Sequence, residues 1–359
     1  MSTVWILTAF LAAFLSALWL HPRVVRIATV KGITDKPDKR KLQRQPIPVL
    51  GGVVVYFGIM MGVGCSVPFY DAQEMTVILA LGTLMLYTGT MDDIIGLTPK
   101  FRFTIETLSV LAVMFIGGYS IYDFHGVWGI GRIPMWVEIP LTIIAVVGII
   151  NSINLIDGVD GLSSGYCMMA CAVFGAYFGI TGDMIMAILA IACIGALIPF
   201  FGHNVFGKKS KMFIGDGGTL LMGMIMSLFV LRVLHGTGST EIDSNFGFIP
   251  FTLAVLAIPV FDTVRVMVTR IIRKTSPFNP DKKHLHHAFI ELGFSHLTTT
   301  VTTLLLNMAI IAVWFLLYRL GASVDMQLYF VLIIGALFTV GVYGTLRHLA
   351  HKKAAKTER

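Results

Sequence analysis

Stretches of predominantly apolar residues recur along nearly the whole chain, most of them near the roughly 17–25 residues needed to cross a hydrocarbon core of about 30 Å. Inside lipid the backbone has to satisfy its own N–H and C=O groups, so segments of this kind fold as helices packed against other helices. Composition excludes an ordinary soluble domain: 56% of the 359 residues are hydrophobic and 13% charged, where a soluble domain carries about 25% charged. Eleven such segments are centred near residues 12, 58, 83, 111, 146, 173, 193, 226, 256, 310 and 336. We therefore expect an all-α, polytopic integral membrane bundle of about eleven transmembrane helices, with residues 1–345 forming a single transmembrane domain and 346–359 a basic tail. The first segment lacks a basic lead and is followed by an Arg/Lys-rich stretch, which reads as a retained helix and not as a cleaved signal.

Charge placement orients these helices. The connections at 22–47, 92–103, 203–216 and 265–300, with the tail from 346, alternate onto one side and hold 24 of the 27 Lys and Arg, leaving Arg132, Arg232 and Arg319 for the other. Basic connections stay in the cytoplasm, so the N-terminus is expected outside and the C-terminus inside. The net charge of +7 is then accounted for by loops facing an anionic leaflet, and no nucleic acid partner is implied. Cys65, Cys167, Cys171 and Cys193 all fall inside apolar segments and read as packing residues, with neither a disulfide nor a metal assigned to them.

With that orientation the acidic motifs collect on the cytoplasmic face. Asp92-Asp93 ends the third segment, Asn154-Leu-Ile-Asp157-Gly-Val-Asp160-Gly ends the fifth, Phe213-Ile-Gly-Asp216-Gly-Gly follows the seventh, and Asp262 with Arg265 ends the ninth. Ionisable residues at a membrane boundary are costly and mark functional sites. Five carboxylates (Asp92, Asp93, Asp157, Asp160 and Asp216) at one boundary repel one another unless a cation sits among them. Oxygen donors without cysteine suit a hard ion, and Mg²⁺ held by one or two carboxylates usually completes its shell with substrate phosphates. The glycines beside Asp157, Asp160 and Asp216 let backbone N–H groups approach an anion.

Two further stretches carry polar character on the same side. Gly202-His-Asn204-Val-Phe-Gly-Lys208-Lys209 resembles a P-loop, but Lys209 stands where Ser or Thr would bind Mg²⁺ and an apolar segment precedes it, so it is rejected as one; Asn204 and the lysines remain candidates for anion or nucleotide binding. Asn279-Pro-Asp281-Lys-Lys-His284-Leu-His286-His287 lies in the connection at 265–300. Its imidazoles suit phosphate oxygens, and without cysteines they make a poor zinc site. The cytoplasmic loops at 22–47, 92–103, 156–163, 203–216 and 265–300 are thus expected to build one site.

Taken in order, Asp35-Lys-Pro, Arg40-Lys41, Pro46-Ile-Pro48 with Gly51-Gly52, Asp92-Asp93, Asn154-X-X-Asp157-Gly-X-Asp160-Gly, Phe213-X-Gly-Asp216 and His284-X-His286-His287 resemble the motifs of polyprenyl-phosphate N-acetylhexosamine-1-phosphate transferases, the WecA and TagO type related to the MraY translocase. The resemblance implies an enzyme of the bacterial cytoplasmic (inner) membrane that transfers N-acetylhexosamine-1-phosphate, most simply GlcNAc-1-phosphate, from a UDP-sugar to undecaprenyl phosphate. UMP is released, and the lipid-linked first sugar of a cell-envelope polysaccharide is formed. It implies Mg²⁺, with Mn²⁺ as a substitute, held by Asp216 and Asn154. Asp92 or Asp93 would be the base or orienting group for the lipid phosphate. Phe213, Asp157, Asp160 and Asn204 would line the nucleotide site, and Lys41, Arg265, His284, His286 and His287 would contact phosphates. The partners are then undecaprenyl phosphate, a UDP-N-acetylhexosamine and membrane lipids, and a homodimer is left open. Gln43 and Lys282 stand where family members often have His and Arg. A phospho-MurNAc-pentapeptide transferase is the neighbouring reading, and a cation-coupled transporter the reading from another class.

Overall fold

The computed structural model describes residues 2–35, 46–66, 72–236, 245–276 and 283–357. They form helices α1 (Ser2–Lys31), α2 (Gly51–Gly64), α3 (Ala72–Ile95), α4 (Pro99–Phe115), α5 (Met135–Leu155), α6 (Leu162–Thr181), α7 (Met184–Phe206) and α8 (Gly215–His235). There follow α9 (Phe248–Val255), α10 (Ala257–Ile272), α11 (Leu285–Glu291), α12 (His296–Arg319), α13 (Val324–Ala336) and α14 (Val342–Thr357). A π-helical turn at Leu337–Gly341 joins α13 to α14. Strand structure among the described residues is a two-residue antiparallel pair, Thr34–Asp35 with Ile47–Pro48.

The protein is a helical, multi-pass membrane protein. Eight described helical stretches, the last of them α13 running on into α14, are long and apolar enough to cross a bilayer, and the pair α9–α10, bent by 80°, makes up to nine. Ten of the eleven expected centres fall on helices and the other, residue 256, falls at the break between α9 and α10, but α2 and α4, at 14 and 17 residues, are shorter than the roughly 20 residues of a full crossing. Helix α1 runs through Pro22 to Lys31, well past its apolar segment. The stretch from residue 22, expected as loop, therefore begins as helix, because Arg, Val, Ala and Lys tolerate or favour helix once it has nucleated.

Helix ends follow local chemistry. Thr98 caps α4, accepting from the Phe101 N–H at 3.3 Å, and Pro99 takes the first helical position, where a missing N–H costs nothing. Asp183, Ser295 and Ser323 cap α7, α12 and α13 in the same way, each such cap contributing about 1 kcal/mol.

The chain groups into two compact units. One comprises Met1–Ile121, Met135–Asn154 and Ser163–Glu241, and α8 is its buried centre, packed against α2 and α3. Gly51 and Gly52 begin α2 so closely against the start of α8 that their N–H groups donate to the carbonyls of Phe213 and Ile214 at 3.0 and 2.8 Å. The Phe213 N–H in turn donates to the Pro48 carbonyl at 2.8 Å. A Cβ on Gly52 would overlap the Gly217–Gly218 backbone. Gly52→Ala is therefore expected to force α2 from α8 and lower the melting temperature, and an unchanged melting curve would show that the contact yields cheaply. At the other end of this unit Arg232, one of the three basic residues left off the basic side, ion-pairs with Asp183 at 2.5 Å and donates to the Tyr119 hydroxyl at 2.5 Å.

The second unit comprises Tyr122–Pro134, Leu155–Leu162 and Ile242–Arg359. Here α12 packs on α9, α10 and α13, and α11 lies against α12 and α14. Residues 346–357, expected as a tail, continue the helix α14.

Candidate active site

In the first unit the acidic motifs surround a side chain that sequence analysis had counted only as loop charge. The guanidinium of Arg102, in the first turn of α4, reaches Asp92 Oδ2 at 3.0 Å and Asp216 Oδ2 at 3.4 Å through Nη1. Its Nη2 donates to Asn154 Oδ1 at 3.1 Å and Asn151 Oδ1 at 3.4 Å, and Nε pairs with Glu106 at 3.3 Å. Three carboxylates and two carboxamide oxygens thus share one fixed cation. That is the neutralisation a cluster of carboxylates requires, and a planar five-donor fork supplies it better than an ammonium would.

Each member is positioned by its helix. Asp92 closes the end of α3, accepting the Leu97 N–H on Oδ1 at 2.7 Å. The neighbouring Asp93 turns to α8 and accepts the Gly217 N–H on Oδ2 at 3.3 Å, a first-turn amide that favours an anion. Gly215, at φ 72°, adopts the left-handed conformation that starts α8 and sets Asp216 in its first turn. Asn154 donates from Nδ2 to Asp216 Oδ1 and to the Thr219 hydroxyl, each at 2.7 Å, so that Oδ1 faces Arg102. Asn151 lies one turn earlier on α5 and donates to Glu106 at 2.8 Å.

This donor set fits a hard divalent cation. It is all oxygen, Asp216 keeps 36% of its side chain exposed, and no group of three or more His, Cys, Asp or Glu forms an all-protein cage among the described residues. Arg102 competes for the same oxygens. Such a set leaves part of the coordination to phosphate or water, as Mg²⁺ prefers.

Asn204 and Phe213 shape the approach to α8. Asn204 is buried and donates to the Met212 carbonyl at 2.9 Å, which holds the segment before Phe213; Phe213 is half-buried, with the Lys211 ammonium 6.0 Å from its ring centre. Lys41 lies outside the described residues.

The second unit holds the histidines. Asp262 is buried and binds three donors: Arg265 at 2.7 Å, His284 Nδ1 at 2.9 Å and the Leu285 N–H at 3.2 Å. Arg265 also donates to the Lys283 carbonyl at 2.5 Å and lies 3.8 Å above the Tyr343 ring. Buried His284 and His286 stand with rings parallel, 5.8 Å apart, and the Nε2 atoms of both lack a hydrogen-bond partner. Two orphaned imidazole nitrogens in one buried cluster mark a place for a polar ligand. The His287 ring lies 4.1 Å from that of His286, tilted by 34°. A Cβ at Gly158 would collide with the His286 imidazole, which gives that motif glycine a steric reason. Asp160 pairs with His296 at 2.8 Å, and Asp157 is half-buried three residues before it.

Burial, with His287 and His284 alongside, pushes the His286 imidazole well below its ordinary 6.5. In the unfolded chain the same ring takes its proton at the ordinary value, so protonation favours unfolding, and this contribution to stability is lost as pH falls below that value. The melting temperature should drop between about pH 7.5 and 5.5 by more in the wild type than in His286→Asn; equal slopes would contradict the assignment.

Sequence analysis did not single out Arg102, Glu106, Asn151 or His296. A charged pair four residues apart in an apolar helix, Arg102 with Glu106, was the available signal for the first two.

A family model described as glycosyl transferase family 4 matches residues 75–234. Over 81% of this chain and 79% of the relative, the sequence is 30% identical to a protein of Bacillus subtilis (strain 168) named "Probable undecaprenyl-phosphate N-acetylglucosaminyl 1-phosphate transferase". It is 29% identical, over 80% of this chain and 78% of the relative, to the undecaprenyl-phosphate alpha-N-acetylglucosaminyl 1-phosphate transferase of Escherichia coli (strain K12). The protein of that name from Yersinia pestis is 28% identical over 75% of this chain and 73% of its own length.

Proposed function

Because the chain belongs to the polyprenyl-phosphate N-acetylhexosamine-1-phosphate transferases of glycosyl transferase family 4, we propose that it transfers GlcNAc-1-phosphate from UDP-GlcNAc to undecaprenyl phosphate. A phosphate oxygen of the lipid attacks the sugar-bearing phosphorus of the donor. The bond from that phosphorus to the bridging oxygen breaks, UMP leaves with the electron pair, and a lipid diphosphate carrying GlcNAc remains. The observation that carries this reading is the oxygen-lined cluster around Arg102, built from three of the family's motifs.

Phosphoryl transfer asks a protein for positioning and charge neutralisation more than for covalent chemistry. Arg102 supplies a fixed positive charge to phosphate oxygens at the cluster. Asp92 has both oxygens engaged, by Leu97 and by Arg102, and so serves to aim Arg102. Asp93 accepts backbone N–H groups of the first turn of α8, from Asp216 and Gly217, and is the candidate to hold the proton of the lipid phosphate. Asp216 and Asn154 are the residues that would hold Mg²⁺, or Mn²⁺ in its place. When bound, the ion would neutralise charge developing on the phosphoryl oxygens. In the second unit, His284, His286 and Arg265 offer donors for phosphate oxygens, and Asp157 and Asp160 are proposed for nucleotide contacts; in the first unit, Phe213 offers a face for uracil.

The same reading places the chain in the bacterial cytoplasmic membrane with eleven crossings, the N-terminus outside and the catalytic loops in the cytoplasm. Charge asymmetry of the connections supports it. A donor panel with purified protein and undecaprenyl phosphate, scored by labelled lipid product, tests the sugar: UDP-GlcNAc should be used, and exclusive use of UDP-MurNAc-pentapeptide would overturn the assignment.

A further inference from the structure

Outside the catalytic clusters, the first unit contains a cavity of about 420 Å³ between the last turns of α1 and the segment joining α7 to α8. Its walls include Pro22, Val25, Arg26 and Val30 from one face of α1, with Lys209 and Ser210 opposite. Two cations from different elements therefore line one apolar space. Both are exposed, and neither pairs with an acidic side chain among the described residues. The α1 side is lipid-like on its outer surface, with Ile27 and Val30 exposed by 55% and 76%.

The floor is built. Buried His21 donates from Nε2 to the Ser210 carbonyl at 2.8 Å, and His203 Nδ1 bonds the Ser210 hydroxyl at 2.8 Å. The two imidazoles stack with centroids 4.2 Å apart. Ser210 is thereby held between α1 and α7, and the same segment runs on through Phe213 to Asp216. Lys209, a candidate for anion binding once a P-loop is rejected, thus has a place.

We propose that this cavity binds the phosphate headgroup of an anionic membrane phospholipid, with Arg26 and Lys209 clasping the phosphate and the acyl chains lying along α1. Basic pockets between helices at the membrane edge favour such headgroups, and apolar walls beside paired cations match an amphiphile better than a free anion. Because Lys209 and Asp216 share one short segment, an occupant steadies the approach to the catalytic cluster. The binding claim stands on the cavity alone and is independent of the transferase reading.

The test is thermal unfolding of the purified full chain in phosphatidylcholine nanodiscs with and without phosphatidylglycerol, in the absence of undecaprenyl phosphate and UDP-sugar. Phosphatidylglycerol should raise the melting temperature by a few degrees, less at high salt. The rise should vanish in Arg26→Gln/Lys209→Gln, whose melting in pure phosphatidylcholine should match the wild type, and persist in the control Lys352→Gln. No rise in the wild type, an equal rise in the double variant, or loss of the rise in Lys352→Gln would overturn the proposal. So would a comparable rise from inorganic phosphate in pure phosphatidylcholine, or a response confined to undecaprenyl phosphate.

Discussion

Arg102→Ala should lower turnover by about 10²–10³-fold, the range found when a preorganised electrostatic donor is removed from an active site. Among the described residues, Arg102 is the one cation that Asp92, Asp216 and Glu106 share. Its loss leaves three carboxylates facing one another, so the variant should also melt at a lower temperature; burial makes an unpaired charge costly. Arg102→Lys should recover the charge but not the fork that reaches both Asn151 and Asn154, and so should regain only part of the activity. UMP release and thermal unfolding measured side by side check both effects. Full activity in Arg102→Ala would remove it from the site.

Asp216→Asn should cost at least about 10³-fold, at the upper end of that range. The substitution keeps the size of the side chain and one carbonyl oxygen, and Asn is tolerated in a first helical turn, so the protein should still insert and purify. What it loses is the charge facing Arg102 and the proposed ion. Raising Mg²⁺ should recover part of the rate if the residual defect is weaker ion binding. The double variant Arg102→Ala/Asp216→Asn should be far less impaired than the product of the two single losses, since residues that act as a unit are not additive. Strict multiplicativity would show that the two side chains work separately.

Much of the helical architecture was legible because apolar length and helix are tied together in a bilayer; every expected centre but 256 lies on a helix. Ends were less legible. The Arg/Lys-rich end of α1 reads as loop when charge is taken as the sign of a boundary, yet the backbone continues as helix to Lys31. The bend between α9 and α10 was hidden within one apolar run. Among the site residues, Asp92, Asp93, Asn154 and Asp216 do gather, helped by Gly89 and Gly217, where α3 and α8 approach too closely for a side chain. Arg102 reads as one more basic loop charge unless its spacing from Glu106, four residues on, is noticed, and His296 carries no signal because its partner Asp160 is 136 residues away. Asn204 suggested a ligand contact, while its amide nitrogen holds the Met212 carbonyl; sequence alone does not distinguish a carboxamide that touches substrate from one that supports the loop.

The central claim is sugar-phosphate transfer at the Arg102–Asp216 cluster. It is tested most directly by incubating purified protein with UDP-GlcNAc, undecaprenyl phosphate and Mg²⁺, then quantifying UMP and lipid-linked GlcNAc together. The account predicts equimolar UMP and lipid product, both abolished by chelation of the metal and both lowered at least about 10³-fold by Asp216→Asn. UMP without lipid product, lipid product without UMP, or undiminished formation of both by Asp216→Asn would contradict it.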